Sequence, residues 1–155
     1  MSLKSSVLVL GMSVALTSPS DAAWEVYQAG VAGTAALAGA AILTVECLAE
    51  NSMVIGIYDL TWPFETGEPA AVIVDDAPVV VGQYGSGDRI VLADVDNAGG
   101  LNLSDGLVAA LSDGQALRVQ AQGAASMAAP MLTFSLEGAG RAIELVAEDC
   151  AAGAF

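Results

Sequence analysis

"ILTVECLAENSMVIGIYD", Ile42 to Asp59, consists of two short runs rich in β-branched residues on either side of "AEN". Such a pattern is two strands joined by a tight turn, and reading it so makes the chain β-rich. Downstream the pattern continues: "AAVIVD" follows "TGEP", "VVVGQ" follows "DDAP" and "RIVLADV" follows "YGSGD", a meander of hairpins. Upstream, no charge occurs from Val26 to Val45, and "AGVAGTAALAGAAILTV" is apolar enough to be weighed as a membrane span. Alanine and glycine dominate it, however, and Gly30, Gly33 and Gly39 punctuate it as turns do. It is read instead as a strand near "TAALA", a turn at Gly39 and Ala40, and the strand that opens at Ile42.

Helical spacing enters later. "LSDGLVAALSDG" places Leu103, Leu107, Val108 and Leu111 on one helical face, and Gly114 suits the end of a helix over about 104–112. "ALRVQAQ" and "MLTFSLEG" read as two more strands. "GRAIELVAEDC" sets Ile143, Val146 and Cys150 on one side of an amphipathic helix over about 138–149, which would bring Cys150 onto the sheet carrying Cys47. The expected fold class is α+β: a mostly antiparallel meander or sandwich-like sheet with two helices.

With 155 residues, 55% hydrophobic and 14% charged, the chain can bury a sizeable core as one domain. The charge is one-sided, Lys4, Arg89, Arg118 and Arg141 against 18 acids, for a net charge of -14. That surface repels phosphate backbones and anionic lipid, so no nucleic-acid partner is expected.

Lys4 followed by "VLVLGMSVAL" and "TSPSDA", with Ser20 and Ala22 at the small-residue positions, has the form of a signal peptide cleaved after Ala22. Expected, then, is a signal segment over 1–22 and one periplasmic or secreted domain over 23–155, with no integral membrane span once the signal is gone. Export gives Cys47 and Cys150 a meaning: an even pair in an oxidising compartment defaults to one disulfide. Closing a loop of about 100 residues stabilises by up to about 4.7 kcal/mol in the chain-entropy model. Separate reactive thiols are the alternative, and Glu46, Glu50, Glu148 and Asp149 beside them disfavour thiolate chemistry.

The chain has no histidine and, without residues 1–22, no lysine. Ser-His-Asp and Cys-His nucleophiles, Schiff-base lysines and histidine metal sites are thereby excluded. The adjacent carboxylates Asp75 and Asp76 could serve a carboxylate-based hydrolase, but "VDDAPV" has the form of a turn between strands, and neighbours on a strand face opposite ways. Arg89 follows Asp88, Arg118 lies within a strand and Arg141 stands near Glu137 and Glu144, so each is expected to pair with a neighbouring carboxylate. Trp24 and Trp62 fit core packing; if the loop "DLTWPFETGEP" is exposed, Trp62 and Phe64 are the expected partner contacts.

"DVDNAGGLNLSD", Asp94 to Asp105, offers Asp94, Asp96, Asn102 and Asp105 at positions 1, 3, 9 and 12 of a calcium loop and Gly99 at position 6. Its ending resembles dockerin-type calcium loops, but Ala98 at position 5 carries no ligand and Asp105 is shorter than the usual Glu. The competing reading is a turn leading into a helix capped by Ser104, with Asp105 complementing the helix dipole. The metal-free reading is preferred, with calcium as the alternative cofactor.

"LTVECLAENSMVIGI", "VIVDDAPV" and "TFSLEGAGRAIELVAEDC", after a Trp near the mature terminus, resemble small exported bacterial proteins of the VasI type, which accompany type VI secretion systems. The order is similar more loosely to the invasion-associated locus B family. In that resemblance Cys47 and Cys150 occupy the paired-cysteine positions, Asp75 and Asp76 the turn, and Phe134, Leu136 and Gly138 the approach to the last helix. The basic residues usual around the first cysteine are absent, and Glu46 precedes Cys47 instead. The resemblance implies a non-enzymatic accessory protein whose partner is another envelope protein.

Overall fold

The computed structural model describes residues 23–59, 62, 66–86, 88–122 and 131–155. The expected signal segment, residues 1–22, and Phe64 lie outside them. Ten strands form: Glu25–Gln28 (β1), Val31–Ala35 (β2), Ile42–Ala49 (β3), Ser52–Tyr58 (β4), Pro69–Val74 (β5), Ala77–Ser86 (β6), Arg89–Val95 (β7), Leu101–Asn102 (β8), Ala116–Ala121 (β9) and Leu132–Ser135 (β10). Two helices, Asp105–Asp113 (α1) and Ala139–Ala152 (α2), complete an α+β fold. All pairings are antiparallel, in the order β1-β2-β3-β4-β7-β6-β5-β9-β10, with β8 beside β7.

The hairpin read from Ile42–Asp59 is present: Leu43 lies opposite Ile57 and Val45 opposite Ile55. These side chains share one face, and Val72 on β5, Leu117 on β9 and Phe134 on β10 join them in a single core. Ala142, Ile143, Val146 and Cys150 of α2 cover that face, with α1 packed beside α2 through buried Leu107 and Leu111. The two apolar helix stripes are thus buried as their spacing requires. Ser104 caps α1, its hydroxyl accepting from Leu107 N–H at 3.3 Å, and Asp105 stands in the first turn.

The stretch weighed as a membrane span is β2, a turn and the start of β3. No helix among the described residues is long and apolar enough to cross a membrane. The first strand lies earlier than "TAALA", because Ala36 N–H bonds to Ala41 C=O and closes the loop there. The expected meander is present in two runs, β1–β4 and β5–β7, and they meet where β4 pairs with β7 rather than with β5, so β7, β6 and β5 run back along the sheet. Trp62 pins the crossing, buried with its indole N–H 2.7 Å from Gln83 Oε1 on β6. Strands β1 and β8 were not foreseen; both are short, and β1 is exposed along its length.

The sheet curls until β2 and β10 touch. Trp24 Nε1 donates to Ser135 C=O at 2.8 Å and Leu37 N–H to Thr133 C=O at 2.9 Å. Two carbonyls on the outer edge of β10 are satisfied in this way, without a strand ladder between the ends of the sheet among the described residues.

Candidate functional site

On the reverse face of the sheet, away from α2, the middle of β3 carries Thr44 and Glu46. Glu46 is 4% exposed, an unusual place for a carboxylate. Opposite Thr44 on β4 stands Gly56. A Cβ there would come within 2.5 Å of both Glu46 Oε1 and Thr44 Oγ1, so only glycine leaves room for the carboxylate to lie across the neighbouring strand. At Gly33 on β2 an added Cβ would meet the Leu43 carbonyl oxygen first, then Thr44 Cγ2 at 2.9 Å and the Tyr27 ring at 3.0 Å, so glycine there admits the backbone of β3 as well as Tyr27.

Burying a carboxylate is costly unless donors replace its water. Here Thr44 Oγ1 donates to Glu46 Oε1 at 2.5 Å, Tyr58 OH donates to the same oxygen at 3.0 Å, and Arg89 Nε lies 2.8 Å from Oε2. Tyr58 ends β4, and Arg89 opens β7, where Ile90 pairs with Ile57. The strand pairing therefore delivers both to Glu46. The Arg89 Nε–H is buried and not aligned on an acceptor, so the contact is an ion pair rather than a directed hydrogen bond. The two Nη nitrogens make no hydrogen bond to the protein among the described residues, while 20% of the side chain is exposed.

Above this pair lies a cavity of about 570 Å³, lined by Glu46, Arg89, Thr44 and Tyr58 below and by Tyr27, Ile42 and other residues around it. Its size is that of a small-molecule site. Tyr27 and Phe155 on its rim are 49% and 55% exposed, so the rim is apolar and open. Burial, and then the Glu46 charge, push the Tyr58 phenol up to about 12. Burial and then Glu25 raise that of Tyr27. The floor thus holds a carboxylate with three partners and a phenol that stays protonated near neutrality. A phenol held protonated in this way donates hydrogen bonds and can orient a bound group.

No family model, curated protein or solved structure matches the chain.

The other sequence-derived residues lie elsewhere. Cys47 and Cys150 stand at disulfide distance with Cα atoms 5.5 Å apart, joining β3 to α2. Asp75 and Asp76 form the β5–β6 turn at φ 45° and 71°, the left-handed conformation of a two-residue hairpin loop. Asp75 accepts from Gln115 and Ala116 N–H, while Asp76 pairs with Arg118. Each carboxylate therefore holds a different neighbour, and both border a second concavity with Gln115, Ala116 and Arg118. Arg141 pairs with Glu144 as expected.

Residues 94–105 form the β7–β8 hairpin and the approach to α1. Asp94 pairs in register with Asn102. Asp96 Oδ1 accepts from Ala98 and Gly100 N–H, both at 2.8 Å, and Asn102 Oδ1 from Met53 N–H at 2.9 Å. No group of three or more His, Cys, Asp or Glu that could hold a metal occurs among the described residues. Trp62 is 5% exposed, which removes its ring from any surface a partner would meet.

Sequence reasoning missed the Glu46–Arg89 pair, having expected Arg89 to answer to Asp88. The available signal was an acidic residue centred in an apolar strand, facing a strand interrupted by glycine in "VIGI".

Proposed function

We propose that this is a non-enzymatic accessory protein of the bacterial cell envelope that acts by binding another envelope protein through the reverse face of β1–β4. One observation carries the reading: an open concavity with the Glu46–Arg89 ion pair at its floor and exposed Tyr27, Ile42 and Phe155 at its rim. A rim of that kind is where partners find aromatic anchors. The signal-peptide pattern of residues 1–22, the paired cysteines and the resemblance to VasI-type exported proteins support the compartment and the accessory role.

The test is site-specific photo-crosslinking in bacterial cells that express and export the full chain. A photoreactive residue at Ile42 is expected to give one discrete adduct with an envelope protein, and the same residue at Arg141, on the exposed side of α2, none. Equal adducts at both positions, or none at Ile42, would overturn the assignment of this face.

A further inference from the structure

We propose that the cavity over the Glu46–Arg89 pair binds a small monocarboxylate with an apolar body, its carboxylate on the Arg89 Nη fork and its body against Tyr27, Ile42 and Phe155. The proposal rests on the reverse face being a binding face, and names what enters its centre.

The reasoning begins with which floor groups remain unpaired. Both oxygens of Glu46 already have partners: Thr44 and Tyr58 on Oε1, Arg89 Nε on Oε2. Among the described residues, the floor groups without a protein hydrogen bond are donors, the N–H bonds of Arg89. A ligand head that fits must therefore accept hydrogen bonds, and a planar guanidinium edge matches a carboxylate with two parallel bonds. A cationic head would meet the guanidinium itself, and a neutral alcohol would offer only one acceptor oxygen to the fork.

Charge separates carboxylate from phosphate. The chain carries a net charge of -14, and a single guanidinium already shared with Glu46 faces the cavity. Because Glu46 already balances that charge, what Arg89 has left is hydrogen-bond donors, which a singly charged head can use with less repulsion than a dianion. Repulsion from acids beyond about 8 Å is screened at physiological salt, but Asp88 and Glu25 act on the lining residues Tyr58 and Tyr27, which further favours a singly charged head over a dianion.

The rim specifies the rest. Ile42 is 38% exposed, and Tyr27 and Phe155 more so, although all three are apolar or aromatic. Acetate alone would leave this surface in water. A ligand with a hydrocarbon or aromatic body covers it, and a volume of about 570 Å³ accommodates one.

The test is calorimetric titration of the purified, oxidised protein with octanoate, octanol, acetate and octylammonium. Octanoate is expected to saturate one site, with octanol and acetate weaker by about tenfold or more, the worth of one charge-assisted contact or of the buried body. Arg89→Lys keeps a cation opposite Glu46 but lacks the fork, and is expected to weaken octanoate by about tenfold. Ile42→Asp alters only the exposed rim and is expected to abolish binding. The proposal is overturned if octanoate fails to saturate the unaltered protein, if octylammonium binds as tightly, or if Arg89→Lys leaves octanoate unchanged. A crosslinked partner at Ile42 without octanoate binding would remove the ligand and leave the binding face; octanoate binding without an adduct would do the reverse.

Discussion

Arg89 lies with Nε 2.8 Å from Glu46 Oε2, across a face where Glu46 is all but closed to solvent. The pair is a structural joint between β3 and β7 as well as the floor of the cavity. Arg89→Ala leaves the carboxylate buried with only hydroxyl partners, and a loss of about 3–5 kcal/mol is expected in denaturant unfolding. Glu46→Gln combined with Arg89→Met removes both charges and is expected to recover most of that loss. A double variant no more stable than Arg89→Ala would show that the pair is not coupled.

Reduction should expose how much of the stability comes from tying α2 to β3. Cys47 and Cys150 enclose a separation of 103 residues, and the loop-entropy contribution has an upper bound of about 4.7 kcal/mol. Thermal unfolding with reductant, or of Cys47→Ser, is expected to show a clearly lower midpoint. An unmoved midpoint would mean that the sulfurs do not cross-link the folded chain.

Alkali should destabilise the fold through Tyr58. Its phenol ionises near 10 in the unfolded chain and at about 12 in the folded one, so the unfolded state loses its proton first. The stabilisation is complete below about pH 10 and fades as pH rises through 12. Unfolding midpoints measured across that window are expected to fall for the parent protein and to fall less for Tyr58→Phe.

The loop at 94–105 makes a separable prediction. Asn102 supports Met53 N–H, so Asn102→Ala is expected to cost about 1 kcal/mol whether or not calcium is present. Calcium at millimolar concentration is expected to leave the melting midpoint of the parent protein unmoved. A calcium-dependent rise that vanishes in Asp96→Ala would establish the metal reading instead.

Local patterns carried much of the fold into the sequence. Turn residues around Asn51 and Asp75–Asp76, the helical spacing of Leu107 and Leu111 and the capping position of Ser104 all report on their own neighbourhoods, and each is found where expected. The pairing of β4 with β7 is different, because nothing within either strand records which edge the other will occupy. That pairing is also what brings Arg89 to Glu46. Missing the strand order therefore meant missing the site, and Asp88, the nearest acid in sequence, was the wrong partner to expect. Trp62 is buried as core packing predicts, but the acceptor its indole N–H needs, Gln83 on β6, comes from a strand that the loop sequence does not name.

Three closures among the described residues join early elements of the fold to late ones. Trp24 reaches Ser135 over 111 residues, Gly30 N–H reaches the Asp149 carboxylate over 119, and the cysteines meet over 103. Until residues 132–152 are present, the chain has neither the edge strand that Trp24 secures nor the helix that covers Leu43 and Val45. Contacts so distant in sequence make folding slow and late. The core therefore cannot close until residues 132–152 have joined strands laid down far earlier in the chain, so the sheet and its covering helix form as one cooperative unit.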